Sequence, residues 1–273
     1  MIMTAIKNKL SLNATTLKIL AIVLMALDHV HQMWEYTGAP MWLKWLGRPV
    51  FPIFLFVMAE SFHYTRNRKN LLKRLLFAAW IMSICNNLLQ FALPNEHIAL
   101  INNAFMTFFV VGLYMLFYDM FVDGIKTKKP GKIIGALLLC FVPILTMLPL
   151  LWTVSFASND AVPQLVIQVL LIIGSMIPNI LFLEGGPAIV ALGLLFYILR
   201  KWRLAQIAVL TIYSVAMFVL SGGESIQWIA IFAIFPMLLY DGEKGRGMKH
   251  LFYIFYPMHI YLFYIISTLW ARF

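Results

Sequence analysis

The chain has 273 residues, of which 62% are hydrophobic and only 12% charged, and its formal net charge is +10. Soluble domains carry roughly 25% charged and 45–50% apolar residues, so this composition excludes a water-soluble globule and indicates an all-α, polytopic membrane helical bundle. The positive charge does not indicate a nucleic-acid partner, because the basic residues sit between apolar runs, where they act as topology signals.

A membrane-crossing helix needs about 20 mostly apolar residues. In chain order the candidate spans are 17–34, 41–64, 70–93, 98–121, 131–153, 164–183, 187–200, 204–221, 226–240 and 249–270. Several are short, so nine or ten transmembrane helices are expected, in a single domain over 1–273. The connections "EYTGAP", "LPNEH", "DGIKTKKPGK", "SNDAVP", "LEGGP", "SGGES" and "DGEKGRG" carry the Gly, Pro, Asn and Asp of turns. The first run lacks a small-residue cleavage site and leads into a second span, so it is not read as a signal peptide. Cys85 and Cys140 fall inside spans and are expected to be small core hydrophobes. No metal site is expected.

Basic residues alternate with acidic or neutral loops. Lys7, Lys9 and Lys18 stand at the start of the first span, residues 66–74 follow the second, and Lys126, Lys128, Lys129 and Lys132 follow the fourth. Glu35, Glu96 and Asp160 lie on the loops between. This asymmetry puts the N-terminus in the cytoplasm. The alternation then breaks. Either 164–183 crosses fully, or it is re-entrant with a break near Pro178-Asn179. The second reading makes "LRKWR" and "DGEKGRGMKH" both cytoplasmic and leaves the C-terminus outside. Non-helical backbone at membrane depth is tolerated where protein or water covers it.

The first span contains "LMALDHVHQMW", a carboxylate and two imidazoles inside an apolar run. Ionisable groups in a span are costly and usually mark function. At ~1.5 Å per residue, Asp28 and His29 lie deep in the span, with Arg48, His259 and Asn103 at comparable levels of theirs. His31 is nearer the outer surface, where an interfacial role is expected. Lys18 and His29 are eleven residues apart, close to three helical turns, so they share a face. An anionic ligand held at Lys18 can present its far end to His29. Glu60 and His63 are expected to pair with the basic loop or to bind a ligand.

Four blocks, "LKILAIVLMALDHVH", "GRPVFPIFLFVMAESFHYTRNRKNLLKRLLF", "NNAFMTFFVVGLYM" and "FYIFYPMHIYLFY", resemble the TraX family. The namesake is a conjugation-plasmid membrane protein that acetylates the N-terminus of pilin. Such proteins also look like relatives of the transmembrane acyltransferases, which place an Arg, ten residues and then a His in the first span; here Lys18 stands in for the Arg. The resemblance implies an acetyl-CoA-dependent transferase in a bacterial inner membrane. Its donor is cytoplasmic acetyl-CoA and its acceptor a pilin N-terminus or an envelope sugar.

Acetyl transfer requires a base for the acceptor and donors for the developing oxyanion. His29 is the expected base. Asp28 either orients it or pairs with Arg48. Arg48, His259 and Asn103 are candidates for the oxyanion or thioester carbonyl. Lys18, Arg66, Arg68 and Lys69 are the candidate phosphate ligands of the donor. Attack through an acetylated His29 is an open alternative. Two readings of other classes remain, a transporter and a non-catalytic pilus or envelope assembly protein.

Overall fold

The computed structural model describes residues 11–157 and 163–272; Lys7, Lys9, Asp160 and all but Pro163 of the turn at 158–163 lie outside the described residues. The helices are α1 (Ala14–Trp34), α2 (Met41–Gly47), α3 (Val50–Tyr64), α4 (Arg68–Ala92), α5 (Ala104–Lys126), α6 (Pro130–Leu145), α7 (Met147–Ala157), α8 (Gln164–Met176), α9 (Gly186–Ile198), α10 (Arg203–Leu220), α11 (Ile234–Leu239) and α12 (Lys249–Trp270). Short 3₁₀ turns occupy Glu35–Thr37 and Ile226–Ala233. Among the described residues the fold is all-α, with one isolated bridge between Leu12 and Tyr240.

Seven helical stretches of the described residues are long and apolar enough to cross a membrane: Ala14–Thr37, Met41–Tyr64, Arg68–Ala92, Ala104–Lys126, Pro130–Pro149, Arg203–Leu220 and Leu251–Trp270. This is a membrane protein. The spans expected at 164–183, 187–200 and 226–240 fall on three shorter apolar helices, Gln164–Met176, Gly186–Ile198 and Ile226–Leu239.

Proline explains most of the irregularities. Pro49 has no N–H to continue the ladder, so the second span is broken between α2 and α3. The span expected over 131–153 ends at Leu145, two residues after Pro143, and resumes at Met147. The fourth span begins at Ala104 rather than 98, because the Asn103 side chain caps the helix by accepting from Met106 N–H at 3.3 Å.

The chain divides into two compact units. The first comprises 11–64, 93–99 and 195–272. Its centre is the pairing of α1 with α12. Leu17, Ala21, Met25, His29 and Met33 recur every four residues along α1, and all are buried, which makes one stripe along the helix. The two helices run side by side in the same direction. Lys18 meets Phe252, His29 meets His259, and the Met33 carbonyl accepts from Ser267 Oγ. At the end where α1 starts, Leu12 N–H donates to Leu239 O at 2.9 Å and Ala14 N–H to Glu243 O at 2.8 Å. At the opposite end the segment 93–99 is tied down. Tyr264 donates to Leu93 O at 2.8 Å, Asn95 donates to Thr268 Oγ1 at 3.0 Å, and Tyr36 stacks on His97.

The second unit comprises 65–92 and the described residues of 100–194. Here α8 ends at Met176, and 177–185 continue without α-helix, with the break at the Pro178-Asn179 pair. Protein groups satisfy this stretch, as such backbone requires in a membrane protein. Ile180 N–H donates to Pro143 O at 2.9 Å, Thr146 Oγ1 to Pro178 O at 2.5 Å, and Phe182 N–H to Asn179 Oδ1 at 2.8 Å.

Candidate active site

His29 occupies the buried α1 stripe one turn before Met33 and is 3% exposed; His259, 6% exposed, faces it from α12. His29 Nδ1 and His259 Nε2 are 2.6 Å apart, and the rings meet edge to edge with an interplanar angle of 24° and centroids 4.9 Å apart. Phe255 stacks on His259 at 4.7 Å, and Phe263 meets it edge-on. Pro257 lies two residues before His259 and removes one helical N–H from this turn.

The hydrogen-bond chain sets the tautomers. His259 Nδ1 is 2.7 Å from the Phe255 carbonyl. A carbonyl only accepts, so Nδ1 of His259 carries the proton. With both rings neutral, His259 Nε2 is then an acceptor, and His29 Nδ1 must be the donor to it. The basic lone pair of His29 is thereby assigned to Nε2. This is how a histidine is prepared as a general base: one nitrogen is anchored and the other holds the lone pair.

Asp28 adopts the second of its two expected arrangements. Arg48 Nη2 donates to both its carboxylate oxygens, at 2.7 and 2.8 Å. Arg48 Nε donates to Lys44 O at 3.1 Å. Asp28 and Arg48 are 20% and 18% exposed. The pair joins α1 to the start of α3, and its guanidinium lies within electrostatic reach of His29. Gly47 makes this approach possible, since a Cβ at that position would collide with the Asp28 side chain. The Gly-Arg of the second sequence block therefore has a packing cause: the glycine admits the carboxylate and the arginine binds it.

Lys18 is half-buried near the start of α1, with Nζ 5.4 Å from the Phe252 ring centre. Lys244 is within electrostatic reach, held there because Thr15 Oγ1 donates to Lys244 O at 3.1 Å and to Arg246 O at 2.6 Å. His29, His259, Asp28, Arg48 and Lys18 thus all belong to the first unit.

The remaining candidates belong to the second unit. Asn103 caps α5 and its side-chain amide donates to Ala79 O and to Ser83 Oγ, both at 3.0 Å; its backbone N–H donates to Glu184 Oε2 at 3.0 Å. Arg68 pairs with Asp119, while Arg66 and Lys69 are exposed.

Three features differ from the sequence reading or were missed by it. His31 is packed inside the unit, 2% exposed, with Nδ1 4.0 Å from a Glu35 carboxylate oxygen. Glu60 lies within electrostatic reach of Arg203 and Arg200. Arg203 is packed over Phe56 at 4.3 Å and Tyr240 at 5.1 Å. The third is the direct His29–His259 contact. The every-fourth-residue stripe through His29 was its available signal, but nothing local in the sequence names a partner 230 residues away. Cys85 and Cys140 are free and half-buried.

The sequence profile of the family described as TraX protein matches residues 13–267. The chain belongs to the TraX family. Both histidines, the Asp28–Arg48 pair and Lys18 lie inside the matched region of this TraX-family chain. A curated relative, the probable fimbrial assembly protein FimC, serogroup H1, of Dichelobacter nodosus, is 24% identical over 281 residues, which cover 93% of this chain and 96% of the relative. No solved structure matches this TraX-family protein.

Proposed function

We propose that this protein is a membrane-embedded acetyltransferase that moves an acetyl group from cytoplasmic acetyl-CoA to the N-terminal amine of a pilin subunit. The observation that carries the reading is the buried His29–His259 pair, in which His29 Nδ1, His259 Nε2 and His259 Nδ1 form one chain ending on the Phe255 carbonyl. Two imidazoles in direct contact at membrane depth are costly as mere packing and suited to moving a proton. The FimC relative is by its name a fimbrial assembly protein, which favours a pilus-type acceptor over an envelope sugar.

In this mechanism His29 Nε2 takes a proton from the acceptor amine as its nitrogen attacks the thioester carbonyl. The imidazolium formed is stabilised through Nδ1–H donated to His259, whose own N–H is held by Phe255 O. The attack forms the C–N bond, and collapse of the tetrahedral intermediate restores the C=O of the new amide and breaks C–S. The CoA thiolate leaves and recovers the proton from Nε2. Arg48 contributes positive charge near the developing oxyanion, and its clamp on Asp28 fixes α1 in place. Lys18, with Lys244 beside it, binds the donor phosphates as point charges. The bilayer is the bacterial inner membrane, the N-terminus is cytoplasmic, and the shorter apolar helices complete nine or ten crossings.

The test is purified protein incubated with labelled acetyl-CoA and a peptide bearing a pilin-type N-terminus. The reading expects CoA release with label on the peptide's α-amine. A transporter or a non-catalytic assembly protein would give neither.

A further inference from the structure

Beside α1, on a side away from the His29 stripe, the first unit carries a partly open apolar groove of about 640 Å³. Leu20 and Leu24 line it from α1, Trp45 and Pro49 from either side of Arg48, and Ile229 and Phe232 from the 3₁₀ segment. The other lining side chains are apolar too. The size is within the ~300–1,000 Å³ of ligand pockets.

The walls decide what can fill it. Apart from the indole N–H groups of Trp45 and Trp228, no lining side chain offers a hydrogen-bond donor or acceptor. Water needs two to four polar partners to occupy such a space. An extended peptide would bring one N–H and one C=O per residue with almost nothing to satisfy them. A helical peptide satisfies its own backbone but is ~10–12 Å across with its side chains. A hydrocarbon chain brings no polar group and is thin. It is also the medium around Leu20, Leu24, Trp45, Pro49 and Ile53, all of which stand on segments long and apolar enough to cross the membrane. We infer that this groove is a binding site for one hydrocarbon chain of a bilayer phospholipid, seated between α1, the Arg48–Pro49 break and the 3₁₀ segment. The two indoles suit the ester level of such a lipid, where tryptophan concentrates in membrane proteins. The occupant also has a structural consequence. Arg48 stands between lining residues Leu46 and Pro49, so a bound chain excludes water from the wall next to the Asp28–Arg48 clamp.

The experiment uses the full-length protein extracted in mild detergent, washed to strip loosely held lipid, and examined by native mass spectrometry. One phospholipid is expected to remain bound. Leu24→Trp and Ile229→Trp, which fill the space, should reduce that retention at least tenfold. Ile212→Trp, at a 68% exposed position of α10 outside the groove, should leave it unchanged. As a measurement needing no variant, a phospholipid with a photoreactive group in mid-chain should label the wild-type protein at Leu24, Trp45 or Ile229. Absence of a retained phospholipid, equal loss in all three variants, labelling spread over other apolar faces, or a retained lipid-linked glycan or peptide would each overturn the assignment. Retention requires no acetyl-CoA, so it stands or falls separately from the transferase reading.

Discussion

Removing the His259 imidazole tests the division of labour within the histidine pair. In the native arrangement His29 Nδ1–H donates to His259 Nε2 over 2.6 Å inside a nearly water-free contact. That bond is neutral in the resting state and charge-assisted once Nε2 is protonated. A hydrogen bond to a charged group is worth ~1.5–3 kcal/mol, and each ~1.36 kcal/mol is tenfold in rate. His259→Ala should therefore lower kcat by roughly 10- to 150-fold, with KM for acetyl-CoA little changed, since the bond strengthens only as the transition state forms. His29→Ala removes the base itself and should cost ~10²–10⁴-fold. The double variant should be no slower than His29→Ala, because the partner has nothing left to support. His259→Gln, whose carbonyl oxygen can accept from Nδ1–H, should recover part of the loss. The assay is CoA release under saturating acetyl-CoA, with near-ultraviolet circular dichroism to check that α1 and α12 still pack. Native-like turnover in His259→Ala, or a double variant whose loss is the product of the two single losses, would refute the reasoning.

Arg48→Ala should lower the thermal unfolding midpoint, because it strands the 20% exposed Asp28 carboxylate at a cost on the order of 3 kcal/mol; Arg48→Ala paired with Asp28→Ala should recover much of it in the same melt, and no recovery would show that the two do not act as a pair. Gly47→Ala should destabilise comparably by displacing Asp28, read by the same melt. Lys18→Ala should raise KM for acetyl-CoA more than it lowers kcat, with Lys18→Arg near normal; an unchanged KM in the alanine variant would remove Lys18 from the donor site. Single cysteines at positions in 66–74 and 126–132 should resist an impermeant thiol reagent applied from outside intact cells, and ready labelling of both would invert the topology.

The parts of the fold that rest on local chemistry were legible in the sequence. Hydropathy located the long helices, and Pro178-Asn179 marked the end of α8. The Lys18–His29 spacing put both residues on one face of one helix, and Asp28 with His29 flagged the site because charge in an apolar run is expensive. What was not legible depends on contacts between distant residues. Whether Asp28 turns to its neighbour His29 or to Arg48 is decided by the close approach at Gly47, which only packing reveals. His259 is a bonding partner of His29, a relation invisible without knowing that α1 and α12 run parallel. Asn103 reads from composition as a polar group within a span, but its carboxamide competes for the backbone and starts the helix instead. The burial of His31, 2% exposed, likewise comes from packing that depth along the span does not report.

The central claim is tested most directly by intact-mass and fragment analysis of a pilin-type N-terminal peptide after incubation with acetyl-CoA and the purified protein. The account predicts a single added acetyl group on the α-amine with wild-type protein, and loss of that product by at least ~10²-fold with folded His29→Ala. An unmodified peptide with the wild type, or equal modification by the wild type and His29→Ala, would contradict it.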